Sequence, residues 1–137
     1  MFETIVLAVD GSEHAGRAVS VAGEIARRFG GEVVVLHVRE HQVTWGEDID
    51  VESEREAMEL VDRVVRELKQ TETNVRSEVV RVPAGHVGHE IVRVAEHEGA
   101  DLIVMGTRGL SGWERVLVGS VADRVVHLAA CPVLVVR

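Results

Sequence analysis

The chain has 137 residues and sets 15 Lys and Arg against 23 Asp and Glu, a formal net charge of −8. That length suits one domain with a sizeable core, and the negative charge argues against generic binding to nucleic acid or to an anionic membrane, since both need a basic surface. With two Phe, two Trp and no Tyr, the core must be filled by Val, Leu, Ile and Ala, as in buried parallel sheets.

Thr4-Ile-Val-Leu-Ala-Val9 is a short β-branched apolar run and predicts a buried strand, broken by Asp10-Gly-Ser12. No basic n-region or cleavage site precedes it, and no apolar run reaches the length of a membrane span, so the expected location is cytoplasmic. From His14 to Phe29 the apolar positions Ala15, Ala18, Val19, Ala22, Ile25, Ala26 and Phe29 follow the helical period, and Gly30-Gly31 stops the helix. Glu32 to Val38 predicts a second strand, with His37 as a hydrogen-bonded core histidine. The polar, acidic passage from Arg39 to Asp50 is expected to be a mobile loop. Ser53-Glu-Arg-Glu56 has capping-box spacing and opens a helix carried on by Met58, Val61, Val64, Val65 and Leu68.

Val75 to Val82 predicts a more exposed strand. Pro83-Ala-Gly85 turns the chain into a third helix with Val87, Ile91, Val94 and Ala95 on one face, and Gly99 ends it. Asp101 to Met105 is the fourth strand, Val121 to Ala129 the fourth helix, and Pro132 to Val136 the fifth strand. This alternation implies an α/β fold, a mainly parallel sheet covered by helices on both faces. Cys131 is the only cysteine, so no intrachain disulfide forms, and its position between Ala130 and Pro132 suits a buried thiol better than a nucleophile.

The chemistry concentrates after the fourth strand. Gly106-Thr-Arg-Gly109 is followed by nine residues and then Gly119-Ser120. From glycine and hydroxyl frequencies, on the order of 0.01 chance matches to this spacing are expected in such a chain. Glycines at a strand end and a helix start let bare backbone approach an anion, and free N–H groups at the helix start favour phosphate. Gly106 and Gly109 would line a phosphate path, Arg108 could add a charge-assisted contact, and the Ser120 hydroxyl could donate to a phosphate or lie near its metal. Asp10 is unsuited to phosphate but suited to accepting from ribose hydroxyls, and Val9 and Val38 could form an apolar shelf for a base. If the first and fourth strands are neighbours, these loops face each other at the switch point of the sheet.

Plainer readings accompany each residue. The glycine segment could be a simple connection, Asp10 an N-terminal cap, and Arg108 and Arg115 solvated side chains. Ser120 would cap the fourth helix in either case. His86 and His89 suit surface or cap roles better than half of a metal site, and Trp113 suits a loop anchor or interface residue.

Ile5-Val-Leu-Ala-Val-Asp10-Gly-Ser12, Gly99-Ala-Asp-Leu-Ile-Val-Met-Gly106, the glycine segment and Cys131-Pro-Val-Leu-Val-Val136 together resemble the universal stress protein family, specifically its ATP-binding branch with the signature G-x2-G-x9-G-[ST]. The resemblance covers the whole chain as a single nucleotide-binding domain, residues 1–137. It implies an open five-stranded parallel sheet in the order 3-2-1-4-5, and a homodimer paired through the last strand, Val133–Val136. By position it implies ribose binding at Asp10 beside Val9, an adenine contact at the Val38 backbone, and a pocket wall at Met105. Gly106, Arg108, Gly109, Gly119, Ser120 and Val121 would surround the phosphates of ATP, held with Mg²⁺. One departure stands at the third helix, where the family often has an acidic cap followed by proline and this chain has His86-Val87.

Three function classes follow. A nucleotide-dependent sensor in a stress response would order the segment Leu110 to Val118 on binding ATP and signal to a partner protein. A slow ATPase or autophosphorylating enzyme would need a positioned base and a well-held Mg²⁺, yet the chain has no Gx4GK[ST] and no carboxylate within the glycine segment. An interaction module without nucleotide has no physical need of these glycines. The sensor is the expected function.

Overall fold

The computed structural model describes residues 1–11, 13–107 and 119–137, with side chains omitted for 13–15. Ser12, Arg108, Gly109, the segment 110–118 and its Trp113 and Arg115 therefore lie outside the described residues.

The elements follow the order β1 (Thr4–Ala8), α1 (Glu13–Phe29), β2 (Glu32–Thr44), β3 (Glu47–Asp50), α2 (Glu54–Gln70), β4 (Asn74–Pro83), α3 (Val87–Glu98), β5 (Leu102–Gly106), α4 (Ser120–Leu128) and β6 (Val133–Val136). Five strands are mutually parallel, with β4 beside β2, then β1, β5 and β6. This is the expected parallel order, with the first and fourth of those strands adjacent. The sheet has six strands rather than five, because β3 runs antiparallel to the outer half of β2.

Period-two alternation divides the core between the two faces. Ile5, Leu7, Val33, Val35, Leu102 and Val104 point to α1 and α2, while Val6, Val34, Leu36, Ile103 and Met105 point to α3 and α4. Ile5, Val6 and Leu7 are fully buried, which explains why the central strands read as unbroken apolar runs. The Asp101 carboxylate accepts from the Glu3 and Thr4 N–H groups at 2.9 and 3.3 Å, tying the start of β1 to that of β5.

The passage 39–50 is a hairpin and not the expected loop. β2 continues beyond its apolar run to Thr44, turns at Trp45-Gly46 with φ of 55° and 77°, and returns as β3. Its far half is held by charge: Arg81 Nε donates to Asp50 and Arg81 Nη2 to Asp48, both at 2.7 Å. Ser53 caps α2 as its spacing predicts, accepting from the Glu56 N–H at 3.1 Å. α3 ends at Gly99 in the left-handed conformation, and His86 at its start makes no side-chain cap.

Candidate functional site

A cleft of about 530 Å³ opens where β1 and β5 end beside the middle of β2 and α4 begins. β1 supplies Ala8 with Val9 and Asp10 beyond it, β2 supplies Leu36 to Glu40, and β5 supplies Met105 and Gly106. Gly119 to Ala122 complete the rim beside Gly106. The parallel pairings of β1 with both β2 and β5 bring these ends together, so the cleft sits at the switch point of the sheet.

Val9, Asp10, Val38, Met105, Gly106, Gly119, Ser120 and Val121 all line this cleft. Arg108 and Gly109 lie outside the described residues. The two ends of the glycine segment are drawn together by backbone. The Gly119 N–H donates to the Thr107 carbonyl, and the Thr107 N–H donates to Val136 at 2.9 Å. Gly106 and Gly119 therefore share one wall despite the residues between them.

Ser120 does not cap α4. Gly119 is the N-cap, its carbonyl accepting from the Asp123 N–H at 2.8 Å, and Ser120 is the first helical residue with an exposed side chain. The helix start thus presents glycine backbone and a hydroxyl unused in capping, the donors an anion needs.

Sequence reasoning did not single out the far wall. Arg39, Glu40, Val51, Glu52 and Glu56 also line the cleft, brought there by the β2–β3 hairpin and the start of α2. Glu40 accepts from the Gly85 N–H at 2.9 Å. The Arg39 side chain is 10% exposed and donates to Asp50 at 3.4 Å. The capping box at Ser53 was the available signal, because it places the first turn of α2 directly after the hairpin.

His37 is a hydrogen-bonded core histidine, as its strand position predicts, and is 4% exposed. Its Nδ1 donates to the Val9 carbonyl at 2.6 Å and its Nε2 meets the Glu52 carboxylate. Cys131 lies half-buried away from the cleft, and burial pushes its thiol up, away from the reactive thiolate. The His86 and His89 rings are 6.2 Å apart. Among the described residues no helix is long and apolar enough to cross a membrane.

These features define a doubly wound α/β protein with its cleft at the carboxyl ends of the central strands. The chain belongs to the universal stress protein family, whose model matches residues 1–137. It is 40% identical over 138 residues to a universal stress protein from Thermus aquaticus, with all of both chains covered. Among solved structures it resembles a universal stress protein from Archaeoglobus fulgidus, with a TM-score of 0.80, 28% identity and full coverage of both chains. It also resembles a universal stress protein from Archaeoglobus fulgidus in complex with dAMP, with a TM-score of 0.75 and 26% identity over 100% of this chain and 98% of the other.

Proposed function

We propose that this protein is an ATP-binding sensor of the universal stress protein family, in which occupancy of the cleft by ATP is transmitted to a partner protein. The observation that carries this reading is the gathering of Asp10, Val38, Gly106 and the Gly119-Ser120 helix start around one cleft, and the relative in complex with dAMP supports an adenine ligand. Asp10 accepts from the ribose hydroxyls, the Val38 backbone pairs with adenine, and Val9 and Met105 supply apolar contact. Gly106, Arg108, Gly109, Gly119, Ser120 and Val121 surround the phosphates. The carboxylates of Glu40 and Glu56 line the far wall; repulsion keeps the phosphate chain at the glycine end and sets the direction of the ligand. Mg²⁺ would arrive on the phosphates with Ser120 nearby, and its charge would offset theirs.

The sensor is preferred to an enzyme because no described carboxylate or imidazole lies within the glycine wall to orient a water. Signalling runs through the segment 110–118, which lies in sequence between the hydrogen-bonded Thr107 and Gly119. The dimer forms through β6, which pairs with β5 on one side only among the described strands and carries Leu134, 37% exposed. Gly109→Val should abolish ATP binding by intruding on the phosphate path; unchanged affinity would refute the cradle. Incubation with Mg²⁺ and ATP should release ADP far more slowly than ATP binds and leaves, while steady turnover lost in Ser120→Ala would make the protein an enzyme.

A further inference from the structure

The buried face of β2 holds a group that the nucleotide reading does not use. His37 lies between two acceptors: the Val9 carbonyl, 2.6 Å from Nδ1, and the Glu52 carboxylate at Nε2. A carbonyl cannot donate, so Nδ1 carries a hydrogen. Nε2 would then present a bare lone pair to a carboxylate unless a second proton lies between them. Imidazole is the stronger base of the two side-chain types, so a proton held between them sits on the ring and makes the pair an imidazolium–carboxylate bridge.

We infer that His37 and Glu52 form a protonated clamp that positions the cleft, and that nucleotide affinity falls as pH rises and the clamp releases its proton. The inference rests on the nucleotide reading for its effect on affinity. His37 is a positioning residue, acting through what it holds. On one side it fixes the Val9 carbonyl, while the Val9 N–H donates to Leu36 at 3.0 Å. The end of β1, immediately before Asp10, is thereby pinned to β2 through both of its backbone groups. On the other side it holds Glu52, which follows Val51 in the cleft wall and precedes the Ser53 cap of α2. Loss of the Nε2 proton to solvent leaves lone pair against carboxylate, and the 51–56 wall separates from β2.

Charged groups also stand on each neighbouring element. Asp10 lies beyond β1, Arg39 and Glu40 on β2, and Glu56 on α2. Asp50 on β3 is engaged by Arg39 and Arg81. On β4 the residue paired with His37 is the uncharged Val79, preceded by Glu78, and α1 carries the exposed Arg17.

The test is calorimetric titration of the full chain with ATP from about pH 6 to about pH 9, for the wild type, Glu52→Gln and His37→Asn. Wild-type affinity should fall about tenfold or more across this range relative to Glu52→Gln. In that variant the amide can donate to a neutral ring, so the bridge survives at every pH, and comparing the two cancels titration of the ATP phosphates. His37→Asn keeps a donor for Val9 but loses the bridge, so it should bind weakly throughout. Parallel pH profiles for wild type and Glu52→Gln would overturn the clamp. Nitrogen NMR of the His37 ring in ligand-free protein gives an independent arm. Both nitrogens should be protonated at about pH 6, with Nε2 bare by about pH 9; a bare Nε2 already at the lower pH would also overturn it. If no variant bound ATP at any pH, the nucleotide reading would fall together with the affinity effect, and the NMR arm would still decide the clamp.

Discussion

A Cβ built on Gly31 would overlap the Phe2 carbonyl oxygen and lie 3.2 Å from that of Glu3. Both are backbone atoms at the start of β1, where the Glu32 N–H donates to Glu3 at 2.9 Å, so neither can move without disturbing the first strand pair. Gly31→Ala should therefore destabilise the protein by about 1–3 kcal/mol in denaturant unfolding; a neutral result would mean that this strand start is pliable. Glu98 offers a second test. The Arg76 guanidinium, which also bonds Glu32 at 2.8 Å, holds the Glu98 carboxyl below the usual carboxylate range. A depressed carboxyl stabilises the fold above its unfolded-state titration, and that contribution is lost as pH falls through its folded one. Arg76 is 46% exposed, and solvent screening limits the effect to less than about 1 kcal/mol. Glu98→Gln should thus be slightly less stable at about pH 7 and indistinguishable from wild type at about pH 2, measured by chemical unfolding.

At the scale of elements, the buried strands were legible because both of their faces are apolar, and α2 because Ser53 and Glu56 carry a cap that needs no tertiary context. The β2–β3 hairpin was not legible. Its strands pair through backbone, but its side chains are charged and ordered by partners distant in sequence, such as Arg81 with Asp48 and Asp50. Its turn also lacks the usual sign: both central residues have positive φ, a geometry that favours Asn-Gly, and Trp45 stands in the first place. The same omission hid the far wall of the cleft, since Arg39, Glu40, Val51 and Glu52 enter it only once the hairpin exists. Trp45 is 98% exposed and packs on little, so Trp45→Asn should relieve left-handed strain and raise stability by up to about 1 kcal/mol in thermal unfolding. A loss of stability would indicate that the indole makes contacts that its exposure belies.

Across the whole molecule, one sheet buried on both faces converts strand order into function. Adjacency of β1 and β5 places Asp10 opposite Gly106, and the Thr107–Gly119 hydrogen bond adds the start of α4 to the same rim. The glycine spacing marked this rim in the sequence, whereas the carboxylate-lined wall facing it depends on tertiary placement. The proposed dimer belongs to this scale too. Leu134→Lys should convert dimers to monomers in sedimentation; an unchanged dimer would move the interface away from β6. The central claim is nucleotide binding at the cleft, and calorimetric titration of nucleotide-free protein with ATP, with and without Mg²⁺, tests it most directly. Saturable one-site binding with a Kd on the order of micromolar is the predicted result. Absence of binding under both conditions would contradict the claim.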